Sequence, residues 1–184
     1  CSSDLFDNTE VGRLMAESML ENIPDGGDIF LIQGPLTDNN VSLIREGIDE
    51  TLAGSNLNVV YEANCPGWIA ENAYTYTKEG LKLDRNVKGI ICGNDDLASQ
   101  AFRALSEERL AGKVCVTGQD GDLAACQRIV EETQEMTAFK SVEQEASLAA
   151  KCAVLLGLGE EIEEVQDTAY DGTYNVPYLD LQPL

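Results

Sequence analysis

The sequence predicts an α/β fold built on a doubly wound parallel sheet, and three observations carry that prediction. Short apolar runs of β character alternate five times with helical patterns, the signature of strands joined by crossover helices. Each run is short and apolar, as strands buried on both faces are. A polar residue follows three of the runs at once: Asn94 after GIIC, Asp120 after VCVTGQ and Lys140 after MTAF. In a parallel sheet those residues share one rim, where the ligands of open α/β sheets bind.

Asn8 is a suitable N-cap for a first helix whose Val11, Leu14, Met15 and Met19 share a face, with Glu10 near the positive end of its dipole. Pro24 and the Gly26-Gly27 pair end it. Residues 28–32 (DIFLI) form the first strand. After QGPLTD, Asp38 or Asn39 caps a helix that reaches residue 53 and stops at Gly54. Residues 57–61 (LNVVY) form the second strand, and the loop ANCPGW carries Pro66, Gly67 and Trp68. A third helix spans residues 69–81, and residues 87–92 form the third strand. Leu97, Ala98, Ala101, Phe102 and Leu105 make one stripe of a helix over 95–108. Residues 114–117 and 136–139 are the fourth and fifth strands, with a helix over 123–132 between them. A long apolar-rich helix over 142–158 closes at Gly157 and Gly159. From residue 168 the chain gains Pro and Tyr and reads as a loop and one final strand reaching away from the sheet. Right-handed crossovers and strict alternation then favour the flavodoxin-like strand order 2-1-3-4-5.

Composition narrows the function. The 184 residues suffice for one domain with a substantial core. A net charge of −21 with no Lys/Arg cluster argues against nucleic acid, anionic membrane surfaces and phosphate-rich ligands. The chain has no histidine, which removes imidazole acid-base catalysis and His metal sites. No apolar run reaches the roughly 18 residues of a membrane-spanning helix. Neither GxGxxG nor GxxxxGK[ST] occurs, and no cofactor is expected. No initiator Met or signal peptide is visible, which suggests a mature product or a fragment. No CxxC or zinc spacing occurs among the six cysteines. Cys92, Cys115, Cys126 and Cys152 read as small buried hydrophobes. Cys1-Ser-Ser-Asp resembles the start of a mature bacterial lipoprotein, with an arbitrary chain start as the plainer reading.

Six residues are candidates for a ligand rim: Asp38, Asn40, Trp68, Asn94, Asp120 and Lys140. Each also has an ordinary reading. Asp38, Asn40, Asn94 and Asp120 can cap helices, Lys140 can be a solvated lysine, and Trp68 can be core. Their recurrence at every strand end favours a shared site. Carboxylates accept, lysine donates and asparagine does both, as the hydroxyl pairs of a sugar require. A flat indole suits the C–H face of a pyranose.

The chain resembles the C-terminal lobe of type I periplasmic sugar-binding proteins of bacterial ABC importers, most nearly their D-xylose-binding branch. The residues that carry the resemblance are FDNTEVG near the start, DNN at 38–40, GW at 67–68 and GND at 93–95. LAGKVCVTGQDGDLAACQRIV, TQEMTAFK and NVPYLDLQP continue it in order to the end of the chain. The resemblance implies non-covalent capture of D-xylose or a related aldose by the same six residues, without catalysis. It implies an extracytoplasmic location, ABC permease subunits as partners, and a second, N-terminal lobe that this chain lacks. On that pattern residues 1–184 are one sugar-binding lobe, with 1–8 and about 168–184 as hinge-proximal segments.

Two other classes share parts of this pattern. A phosphoryl-accepting receiver domain fits Lys140 and the Asp95-Asp96 pair, but no acidic pair follows the first strand. A sugar-sensing lobe of a signalling receptor or lactose-repressor-like regulator would present the same rim.

Overall fold

The computed structural model describes residues 6–162, 165, 167–170, 173, 175–179 and 181–184. The chain divides into two compact units, Asn8–Phe139 and a second formed by Cys1–Asp7 with Lys140–Leu184.

In the larger unit the elements follow as α1 (Asn8–Asn22), β1 (Gly27–Gln33), α2 (Asn39–Leu52), β2 (Leu57–Asn64), a 3-10 turn (Pro66–Trp68), α3 (Glu71–Leu83), β3 (Gly89–Cys92), α4 (Asp95–Glu107), β4 (Cys115–Gln119), α5 (Leu123–Val130) and β5 (Met136–Ala138). The strands pair in the order β2-β1-β3-β4-β5, all parallel. This is the expected flavodoxin-like sheet.

Strand periodicity divides the core between the two faces. Ile29 and Leu31 of β1 and Ile91 of β3 pack with Val11, Met15 and Met19 of α1 and Ile44 and Ile48 of α2. The alternate residues Phe30, Ile32, Ile90 and Cys92 pack with Ala73 and Leu81 of α3 and Leu97, Ala101 and Leu105 of α4. Two glycines let α1 and α2 cross at backbone contact. A Cβ on Gly12 would lie 2.0 Å from the Ile44 carbonyl oxygen, and one on Gly47 would lie 2.0 Å from that of Thr9.

Several boundaries differ from the sequence expectation. β2 runs on through Asn64 and β4 through Gln119, because Glu62 and Asn64 pair with β1 and Gln119 pairs with β5 despite their polarity. β3 starts two residues later than expected, at Gly89. Asn8 is the first residue of α1 and is buried, so it lies one position inside the expected cap. Cys92 and Cys115 are buried as expected, whereas Cys126 is exposed on α5 and Cys152 half-buried. Helical position alone does not say which face of a short helix meets the core. Cys1 lies outside the described residues.

The smaller unit holds α6 (Val142–Leu158) and two further strands, β6 (Asp167–Tyr170) and β7 (Asn175–Tyr178). Ser141 caps α6 by accepting from the Gln144 amide, and Gly159 ends it at φ 74°. β6 and β7 pair antiparallel, in place of the single strand read from sequence. Pro177 lies within β7. A two-stranded ribbon is all edge, so a missing N–H is tolerated. Phe6 forms a parallel bridge with Leu181, and the Asp7 amide donates to the Leu181 carbonyl at 3.0 Å.

The α1/α2 crossing yields a test. Gly12→Ala and Gly47→Ala each force a methyl into a carbonyl of the other helix, and each should destabilise by roughly 1–3 kcal/mol. Urea denaturation followed by circular dichroism reads this as a lowered midpoint at unchanged slope. An unchanged midpoint in both variants would contradict the packing.

Candidate functional site

β1, β2, β3 and β4 end on one rim of the larger unit, and Asp38, Asn40, Trp68, Asn94 and Asp120 all lie in the segments that leave those ends. Lys140 follows β5 by two residues and belongs to the other unit. The structure therefore places five of the six candidates on one body, and Lys140 is described with its own unit.

Asp38 is the N-cap of α2. Its Oδ1 accepts from the Asn40 amide at 3.0 Å, satisfying one of the orphan donors of the first helical turn. Its Oδ2 accepts from the indole Nε1 of Trp68, also at 3.0 Å. One carboxylate thus does two jobs, and Asn40 sits in the same turn. Burying an indole N–H without an acceptor is costly, so this bond fixes the edge of the ring as well as its position.

Trp68 takes an unusual backbone. Its φ is 58°, directly after Gly67 at 60°. A bulky residue in this left-handed region is strained by roughly 1–2 kcal/mol. The bond to Asp38 and the close seat of the ring offset that strain. The ring lies over Gly34, where a Cβ would come within 2.3 Å of the indole Cζ2. Trp68 is half-buried and packs on the core beneath it.

Gly34 also touches the next strand end. A Cβ on Gly93 would stand 3.1 Å from the Gly34 amide nitrogen, so the backbones after β1 and β3 meet closely. The Asn64 side-chain amide donates to the Gly34 carbonyl at 2.8 Å, which ties the end of β2 to the same point. Gln119, at the end of β4, donates its side-chain amide to the Gly93 carbonyl. Asn94 follows as the N-cap of α4, its Oδ1 accepting from the Leu97 amide at 2.9 Å. The capping bond uses the oxygen and leaves the donating end of the amide to a different task.

Asp120 is exposed at the turn after β4, with φ 104° and its amide donating to the Ala138 carbonyl at 2.9 Å. The turn is fastened from below by Asp95, which is 1% exposed. Asp95 Oδ2 accepts from the Gly121 amide at 3.0 Å, the Asp122 amide at 3.0 Å and the Thr137 hydroxyl at 2.7 Å. Its Oδ1 accepts from the Gln134 side-chain amide at 3.1 Å. Gln134 in turn accepts from buried Arg128 at 2.9 Å. Burial pushes the Asp95 carboxyl above the ordinary aspartate range and the Asp120 charge adds to the push, while the Thr137, Asp122 and Gln134 donors pull it back.

Sequence reasoning missed Gly34, Gly93, Asp95 and Gln119. Asp95 and Gly93 flank Asn94 in GND, and Gln119 precedes Asp120, so adjacency to a rim candidate was the available signal.

Chemically the rim offers carboxylate acceptors, an amide and an edge-locked indole within one surface.

The chain matches a family of periplasmic binding protein domains over residues 5–161. It is 39% identical to the D-xylose-binding periplasmic protein of Haemophilus influenzae over 184 residues, covering 97% of this chain and 55% of that protein. It is 36% identical to the D-xylose-binding periplasmic protein of Escherichia coli, with the same coverage. The chain thus spans about half the length of the curated relatives it matches. Among solved structures, an ABC transporter solute-binding protein of Actinobacillus succinogenes with bound D-allose superposes with a TM-score of 0.83 at 25% identity, covering 97% of this chain and 59% of that one. One from Clostridium phytofermentans with bound β-D-glucose gives the same score and identity, covering 97% and 61%.

The seat of the indole is testable without a ligand. Gly34→Ala places a methyl inside the Trp68 ring position, so the ring must leave. Trp68 is the only tryptophan, and its emission should shift to the red with increased iodide quenching. Emission identical to the parent chain would show that the ring does not rest on Gly34.

Proposed function

The chain belongs to the periplasmic binding protein domain family, and on that premise we propose that it is the C-terminal lobe of a sugar-binding component of a bacterial ABC importer. In this reading it binds D-xylose or a related aldose non-covalently and presents it to membrane permease subunits. It works outside the cytoplasm, periplasmic or lipid-anchored, without a cofactor and without catalysis. Residues beyond this chain form the second wall of the cleft.

The observation that supports the reading is the Asp38–Trp68 pair on the same rim of strand ends from which Asn94 and Asp120 also leave. The indole supplies a flat apolar surface for sugar C–H groups, and the surrounding carboxylates and amide supply hydroxyl partners. Lys140 is proposed to donate from the end of β5. The sugar names of the relatives support the same class of ligand.

One wall of a cleft supplies only part of the bonds and excludes water poorly. Losing about 4 kcal/mol moves a micromolar Kd to about the millimolar range. D-xylose should therefore change Trp68 emission in this chain near millimolar concentration, and a chain extended to the length of its relatives should bind orders of magnitude more tightly. Asn94→Asp keeps an oxygen cap for α4 and removes the side-chain donor. It should weaken binding about threefold to tenfold while leaving the thermal midpoint nearly in place. No response of the extended chain to any aldopentose or aldohexose at millimolar concentration would overturn the sugar assignment.

A further inference from the structure

We propose that Asp95 is a positioning residue for ligand binding, acting through the turn that carries Asp120. The proposal rests on the sugar-binding reading for its functional half. Its structural half stands on the geometry alone.

Asp95 is the first residue of α4, yet its side chain serves the next strand end. Its carboxylate gathers two consecutive backbone N–H groups, those of Gly121 and Asp122, onto one oxygen. Thr137 of β5 donates to the same oxygen and also accepts from the Gly121 amide at 3.1 Å. The turn is thereby clamped between β3–α4 and β5. Gly118 makes room for this arrangement, since a Cβ there would stand 2.4 Å from Asp95 Oδ1. Gln134, itself bonded by Arg128, donates to the other oxygen of the carboxylate, and the residue is 1% exposed.

The clamped turn needs restraint. Asp120 sits at φ 104° and Gly121 at φ 76°, so two consecutive residues hold left-handed backbone. An aspartate at that φ is strained and persists only where the surroundings over-determine it. The two amides held by Asp95 come immediately after Asp120 and fix the direction in which the chain leaves it. Asp95 itself is buried, so it reaches a ligand only through this turn.

Asn is the near-isosteric replacement. Whichever way its amide turns, one end donates, so it cannot accept both the three bonds at Oδ2 and the Gln134 bond at Oδ1. Thr137→Val removes one donor and the second anchor of the Gly121 amide, and is a milder change for a case in which Asp95→Asn fails to fold. The full 184-residue chain serves for both variants, with D-xylose as the probe and Trp68 emission as the readout.

The first arm measures amide hydrogen exchange without sugar. In Asp95→Asn or Thr137→Val, the Gly121 and Asp122 amides should exchange about tenfold faster or more, while Ile91 in β3 keeps its protection. Unchanged protection at Gly121 and Asp122 would overturn the proposal. The second arm is a double-mutant cycle. Asp95→Asn should weaken D-xylose binding about tenfold alone, and less than about twofold when Asp120→Ala is already present, because the two act as one unit. Equal losses in both backgrounds would assign Asp95 a general structural role and overturn the positioning claim. If neither this chain nor one extended to the length of its relatives responds to D-xylose or another aldose, the sugar reading fails, and the exchange arm alone decides whether Asp95 holds the turn.

Discussion

Parallel pairing of five strands is the constraint on which the site depends. Strands that run the same way put every carboxyl end on one rim, and the order β2-β1-β3-β4-β5 reverses direction between β1 and β3. Connections leave those two strands toward opposite faces, so a crevice opens where they part. Gly34 and Gly93 lie at that point: a Cβ on Gly34 would meet the Trp68 ring, and one on Gly93 would press on the Gly34 amide. Trp68 fills the space above Gly34, and Asn94 follows Gly93. The glycines therefore set how deep the indole sits and how near the amide stands to it.

Much of this was legible in the sequence, for a physical reason. A buried parallel strand must be apolar while it is covered and can turn polar as soon as it leaves the sheet. The positions of Asp38, Trp68, Asn94 and Asp120 therefore followed from where apolar runs ended. The same logic misjudged the ends of β2 and β4. Glu62 and Asn64 lie on the edge strand, where polarity costs little, and Gln119 is buried with its amide bonded to the Gly93 carbonyl. Neither situation is encoded in hydrophobic periodicity, because each depends on a neighbour distant in sequence. The tail read as one final strand where the structure pairs two, and the exposure of Cys126 was hidden by the shortness of α5.

Asp95 shows the limit most clearly. From sequence it is one of two acidic residues opening a helix, where the macrodipole alone would explain it. Its partners stand 26 to 42 positions away, in a turn and a strand whose packing decides that the carboxylate is buried. A charge so placed is retained only if donors surround it, and four do. Local pattern can flag a polar residue beside a site, but only tertiary geometry tells a solvated cap from a buried clamp.

At Asp38 and Asn94 the capping bond occupies single atoms, so capping and the proposed ligand contact do not exclude each other. Asp38 caps with Oδ1 and orients Trp68 with Oδ2. Asn94 caps with Oδ1, and its Nδ2 is a separate donor. Under the proposed sugar-binding role, using a cap residue to bind would have a mechanical consequence. The side chain is held by the first turn of a helix before a ligand arrives, so less rotamer entropy remains to be lost on binding. A carboxylate or amide on a free loop would offer the same chemistry with a larger ordering cost. Helices that begin at strand ends therefore give this rim both its polar groups and their rigidity.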